Sequence, residues 1–258
     1  MNVLTKLYKK FYFDEIKKGV VGYSEEGRRI PFFKVEKTPF PKIIAQYCIH
    51  AREYITTFLA LKSVDYFIEN GKIGTVYFLP CMNPDGVNIC LKGNPLYKAN
   101  AKMVDLNVNF DACWGEGEKN LKTPNYENYI GKFPFSEKES TALRDFTYFV
   151  RPDATLSFHS KGEVIYYGFR DFETNQRDYE IALELSKTNG YSVEIAKNSV
   201  GGYKDWCISA LKIPSFTIEV GSDDLTHPIG IENLDQIFDK NKDLILRLTE
   251  ILCTIKNL

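Results

Sequence analysis

Only three histidines occur in the chain, His50, His159 and His227, and two of them stand where a divalent cation could be held. Glu53 follows His50 by three residues. That spacing is about one helical turn, so both side chains can reach one point. His159 lies far along the chain in a similar setting. Each of these two histidines follows a short apolar run that reads as a strand, and open α/β sheets bind ligands at strand ends. Two imidazoles and one carboxylate are the ligand set of a catalytic zinc site that keeps a fourth position for water. Singly, neither signal is specific. A His-x-x-Glu arises by chance in many proteins, and a histidine at a strand end is commonly a satisfied polar residue. His227, beside Pro228, reads as structural or as part of a rim.

These side chains need elements to hold them. Residues 5–18 have helical spacing, 42–49 read as a buried strand, and 53–69 as a helix stopped at Gly71. Residues 75–80 are a second strand, ended by Pro80. Residues 88–135 are loop-like and too long for a plain connection, which makes them a candidate site-forming loop. Ser136-Glu137-Lys138-Glu139 has the pattern of a capping box before a helix to about Val150. Strands at 154–158, 164–167 and 215–220 alternate with helices at 175–189 and 203–211, and 231–255 read as one long amphipathic helix. The alternation predicts a three-layer α/β/α architecture around a mixed, mostly parallel twisted sheet. Nothing marks a linker, so one domain is expected over 1–258.

Composition narrows the function classes. Lys+Arg 33 against Asp+Glu 34 leaves a net charge of −1, with no basic excess for a nucleic-acid or acidic-membrane partner. The 44% hydrophobic and 26% charged fractions are those of an ordinary globular chain. None of the six cysteines forms a Cys-x-x-Cys pair, and no apolar run approaches a membrane span. The first residues carry no apolar signal-peptide core. A cytoplasmic protein with reduced thiols is the expectation, and the oligomeric state is left open.

Several local sequences, read together, resemble the zinc metallocarboxypeptidase family. They are His50-Ala51-Arg52-Glu53, Asn83-Pro84-Asp85-Gly86, the segment from Asp105 to Phe110, His159-Ser160-Lys161-Gly162, and Phe216-Thr217-Ile218-Glu219. Their order and spacing agree over roughly residues 20–255. Tyr97-Lys98-Ala99-Asn100-Ala101, the Asp105 segment and Gly201-Gly202-Tyr203-Lys204-Asp205-Trp206 look closest to bacterial peptidases that cut cell-wall peptides between γ-D-glutamate and a diamino acid. The resemblance implies one zinc per chain on His50, Glu53 and His159. It implies Glu219 as the general base and Lys98 where the family usually has an arginine that stabilises the oxyanion. Lysine can do this as a point charge but not bidentately.

Two departures bear on substrate. The family's exopeptidases hold a terminal carboxylate with an Asn-Arg pair; here Asn107 is followed by Val108, which cannot donate. The position matching the floor of the specificity pocket is Lys204, which suits a carboxylate on the leaving-side residue, as in diaminopimelate, or else is an exposed helix-start lysine. Lys197 stands where the family often has a tyrosine, a role Tyr203 could take over. The resemblance therefore implies hydrolysis of γ-D-glutamyl–diamino acid bonds in cell-wall peptides. Alternatives are a carboxypeptidase of acidic preference, an amide deacylase, or an inactive peptide-binding homologue.

Overall fold

The apolar runs form the middle of a sheet. In the computed structural model, which describes residues 2–256, the strands are β1 (Lys18–Tyr23), β2 (Arg29–Glu36), β3 (Lys42–Tyr47), β4 (Thr75–Leu79), β5 (Ala154–His159), β6 (Val164–Tyr166), β7 (Ser192–Glu194) and β8 (Ser215–Glu219). Met1 and the last two residues of the expected 1–258 domain lie outside the described residues. The sheet order is β1-β2-β4-β3-β5-β8-β6-β7. β3 pairs parallel with β4 and β5, β5 with β8, and β6 with β7. β1–β2, β2–β4 and β6–β8 are antiparallel. The central strands are buried on both faces, as parallel strands covered by helices must be.

The helices are α1 (Val3–Phe13), α2 (Ile55–Asn70), α3 (Pro84–Leu91), α4 (Lys138–Val150), α5 (Asn175–Asn189), α6 (Tyr203–Trp206), α7 (Leu234–Asn241) and α8 (Leu244–Lys256). Leu7, Leu59, Val64, Leu185 and Leu248 pack from one side against Ile43, Ala45, Leu156 and Phe216. On the other side Leu106, Phe110, Leu143, Phe146, Tyr203 and Trp206 pack with Ile44 and Leu79. Two packed faces around one mixed sheet give the three layers.

Four local expectations are corrected. α1 was expected to run to residue 18 but ends at Phe13, and the β1–β2 hairpin follows from Lys18 to Glu36, where no element was expected. α3 occupies the start of the expected 88–135 loop, because Asn83 caps it through Gly86 N at 2.9 Å and Pro84 fits the first turn. The capping box at Ser136 does not form. The cap residue is Glu137, and the Ser136 hydroxyl turns to the Glu137 carboxylate instead. The C-terminal helix is two helices, α7 and α8, broken at Lys242-Asp243. Among the described residues no helix is long and apolar enough to cross a membrane, and all six cysteines are free.

Candidate metal centre and active-site cavity

Three neighbouring strands end at one place. β3 leads through Cys48 and Ile49 to His50, β5 ends on His159, and β8 ends on Glu219, which is the direct register partner of His159. A short 3₁₀ turn, Ala51–Glu53, brings Glu53 back towards His50. The Asn83 turn fixes this loop: Asn83 donates to the carbonyls of Ile49 and Ala99 at 3.2 and 2.9 Å, and Ala51 N donates to Lys98 O at 3.0 Å. A Cβ on Gly86 would stand 2.4 Å from Ala99 O and 2.7 Å from Ala51 Cβ, so only glycine lets α3 approach these segments.

The three ligand candidates converge. His50 Nδ1 lies 2.9 Å from Glu53 Oε1 and 3.0 Å from His159 Nδ1, and His159 Nδ1 lies 3.1 Å from Glu53 Oε2. Tetrahedral zinc with ligand bonds of ~2.0–2.1 Å sets its ligand atoms about 3.3 Å apart, so the donor set and its spacing fit a single zinc ion. All three residues are buried. The far side of His50 also suits ligation: Nε2 lies 3.2 Å from Asp105 Oδ1, the carboxylate–imidazole contact that orients a metal-binding histidine. His227 is not part of the cluster.

Charges around the cluster are balanced in a chain. Lys98 Nζ pairs with Asp105 Oδ2 at 2.8 Å. Burial acts to raise the Asp105 carboxyl, but Lys98 and then His50 outweigh it and hold it well below the usual range. Glu53 is likewise held low: burial opposes ionisation, and His50 and His159 overcome it. Glu219 differs. Burial raises its pKa to about 7, His159 opposes this, and the Glu53 charge adds to it. A carboxylate tuned towards neutrality is suited to taking and returning a proton.

A cavity of about 770 Å³ opens over the cluster, lined by His50, His159, Glu219, Lys98, Asn107 and Val108 among others. Lys197 is also on its wall. A second cavity of about 190 Å³ lies beside it, sharing Glu219 and Asn107 and walled by Lys204 and Asp205. Of the residues expected from the sequence, His50, Glu53, His159, Glu219, Lys98, Asn107 and Lys204 come together here. Tyr203 does not. Its ring is fully buried against Phe110 and Trp206, and its hydroxyl pairs with Thr147 Oγ1 at 2.8 Å. Lys204 is not an exposed helix-start lysine either; it is buried and donates to Asp205 Oδ1 and Gly168 O, both at 2.6 Å. Sequence reasoning had passed over Asp105 and Asp205 as individual groups. Nothing in their spacing marks them, because their partners meet them only in the folded chain.

A family model described as zinc carboxypeptidase matches residues 4–241, and the chain belongs to that family. Among particular relatives, it is 32% identical over 233 residues to γ-D-glutamyl-L-diamino acid endopeptidase 1 of Lysinibacillus sphaericus, covering 76% of this chain and 58% of that protein. It is 28% identical over 246 residues to carboxypeptidase B of Rattus norvegicus, covering 80% and 58% of the two. The chain thus spans less than two thirds of these relatives' length. In fold it is similar to bovine thrombin-activatable fibrinolysis inhibitor, with a TM-score of 0.86 at 22% identity over 99% of this chain and 97% of that one. It is also similar to a murein-tripeptide amidase of Escherichia coli O157, with a TM-score of 0.63 at 22% identity over 89% and 91%.

Proposed function

We propose that this zinc carboxypeptidase-family hydrolase cuts the amide bond between γ-D-glutamate and a diamino acid in cell-wall peptides. The observation that carries the reading is the meeting of His50, Glu53 and His159 beside Glu219 at a cavity whose wall presents Asn107 but, next to it, the inert Val108. The name of the Lysinibacillus relative supports the bond type. His50, Glu53 and His159 would hold the zinc, which when bound supplies Lewis acidity for activating water and polarising the carbonyl.

The remaining steps belong to the chain. Glu219 accepts a proton from the attacking water at a carboxylate oxygen and returns it to the departing amine nitrogen. Lys98, held by Asp105, offers its ammonium to the oxyanion. Asp105 keeps His50 oriented. Asn107 contributes its side chain at the cavity wall, and Lys204 faces the residue on the leaving side.

The test compares L-alanyl-γ-D-glutamyl-diaminopimelate with an ordinary α-linked dipeptide bearing a free C-terminal carboxylate, for wild type and Glu219→Gln. Turnover of the γ-linked substrate alone, lost in the variant while zinc content stays at one per chain, is the expected result. Cleavage of only the α-linked peptide replaces this reading with carboxypeptidase action. Equal turnover by the variant removes Glu219 from the mechanism.

A further inference from the structure

Most of the residues that line the smaller cavity are polar. Besides Lys204 and Asp205, its wall includes Asn107, Tyr166, Thr217 and Glu219. The two charged residues of its floor are only 6% and 4% exposed. Burying a charge is costly unless it is paired, and these two are paired with each other at 2.6 Å. The pairing changes what the floor can recognise. An isolated lysine would attract any carboxylate, whereas a lysine already neutralised by an adjacent aspartate presents no net charge.

Each partner still has capacity to spare. Lys204 has three N–H groups and uses two, on Gly168 O and Asp205 Oδ1. Asp205 has about four acceptor sites; Oδ1 takes Lys204 and Oδ2 takes Gly202 N at 3.1 Å. The polar character continues beneath the cavity. Thr217 is the register partner of Ser157, and Ser157 that of Gln46. Ser157 Oγ and both Gln46 amide atoms are buried without a partner among the described residues. An apolar side chain entering this cavity would leave the unused donor and acceptor of the ion pair unsatisfied, at a cost of about 1–3 kcal/mol for each group.

We propose that the Lys204–Asp205 pair reads a side chain ending in both a carboxylate and an ammonium, the amino-acid head group at the far end of diaminopimelate, and so selects it over lysine. This rests on the proposed reading of the site as one that releases a diamino acid. Lys204 supplies its free N–H to the carboxylate, and Asp205 its free lone pairs to the ammonium. A side chain with one charge of either sign satisfies only one of them and leaves the other's unused donor or acceptor without a partner.

The test uses γ-D-glutamyl-X substrates in which X is diaminopimelate, lysine, 2-aminopimelate or norleucine, so that the side chain ends in both charges, the ammonium, the carboxylate or neither. Wild type prefers diaminopimelate by at least about tenfold in kcat/KM over each of the others. Lys204→Met leaves Asp205 as a lone anion and moves the preference to lysine. Asp205→Asn leaves Lys204 as a lone cation and moves it to 2-aminopimelate. These opposite shifts are what a purely structural role would not produce. Thermal melting verifies that both variants fold, since Asp205 also caps Gly202. Calorimetric binding of the same compounds to Glu219→Gln gives the same ranking without turnover.

Wild type treating lysine and diaminopimelate alike overturns the proposal, as does a uniform loss across all four substrates in both variants. Should only α-linked peptides be cleaved, the γ-D-glutamyl reading fails. The same four X residues in α-linkage then test the pocket on its own.

Discussion

At the scale of single residues, chemistry is set by which charges are compensated. Lys98 is a cation held by a buried carboxylate, so it stands at the cavity without a competing surface partner. Lys98→Met should lower kcat by about 10²–10³ with a smaller change in KM, the signature of a donor used mainly in the transition state. Lys98→Arg, measured alongside, should recover part of the loss; full activity in Lys98→Met would remove the residue from the reaction. Glu219 makes a second prediction. Burial raises its pKa to about 7, and a dication held beside it would lower that by favouring the charged form. Activity should therefore fall as pH drops through a midpoint at or below about 7, when Glu219 takes up a proton and loses its base function. A kcat/KM profile that stays flat from pH 8 to pH 4 would contradict this.

At the scale of elements, the site depends on segments fastened to one another by buried polar contacts. Gly201, at φ 82°, brings the loop before α6 onto the Asn107 segment; a Cβ there would meet Val108 O at 3.2 Å, and Phe110 N donates to Gly201 O at 2.9 Å. Elsewhere Glu139 in α4 accepts from Glu25 N at 3.1 Å and Asn100 Nδ2 at 3.3 Å, tying the turn between β1 and β2 and the site-forming loop to this helix. Burial raises its pKa from 4.5 to about 7. A carboxyl raised in the folded state costs nothing below pH 4.5, costs progressively more as pH rises towards 7, and a constant amount above that. At about 1.4 kcal/mol per pKa unit, the penalty is on the order of 3 kcal/mol. Glu139→Gln, which keeps the shape and one acceptor, should therefore stabilise the protein more at pH 8 than at pH 4.5. Urea melts at the two pH values would reveal it, and a pH-independent difference would count against the buried charge.

At the scale of the whole molecule, three strands that are neighbours in the sheet carry the ligands and the base to one edge. A cation shared by β3, the turn after it and β5 binds only the folded chain, so removing it should loosen the whole. Prolonged chelation is expected to abolish hydrolysis and lower Tm. One equivalent of zinc should restore both, since a ligand at 100 times its Kd adds about 2.7 kcal/mol. Metal analysis after dialysis gives the stoichiometry, and zinc retention in a His50→Ala, His159→Ala double variant would refute the assigned ligands.

Much of this was legible in the residues alone. The apolar runs of β3, β4, β5 and β8 and the helix at α2 are carried by adjacent positions that local hydrophobic pattern suffices to read. Spacing offers His50, Glu53 and His159 as ligand candidates, while Glu219 stands out only through the resemblance of several motifs to a known family. The strands towards the two ends of the sheet were not legible: β1, β2 and β7 lack a long apolar run, and the break between α7 and α8 interrupts an otherwise continuous stripe. Asp105 on His50 and Lys98, Asp205 on Lys204, and the inward turn of Tyr203 were decided only by the tertiary structure. Each is a matter of which polar group is left without water and what lies within about 3 Å of it, a property of chain segments that come together only once the sheet and its covering loops have packed.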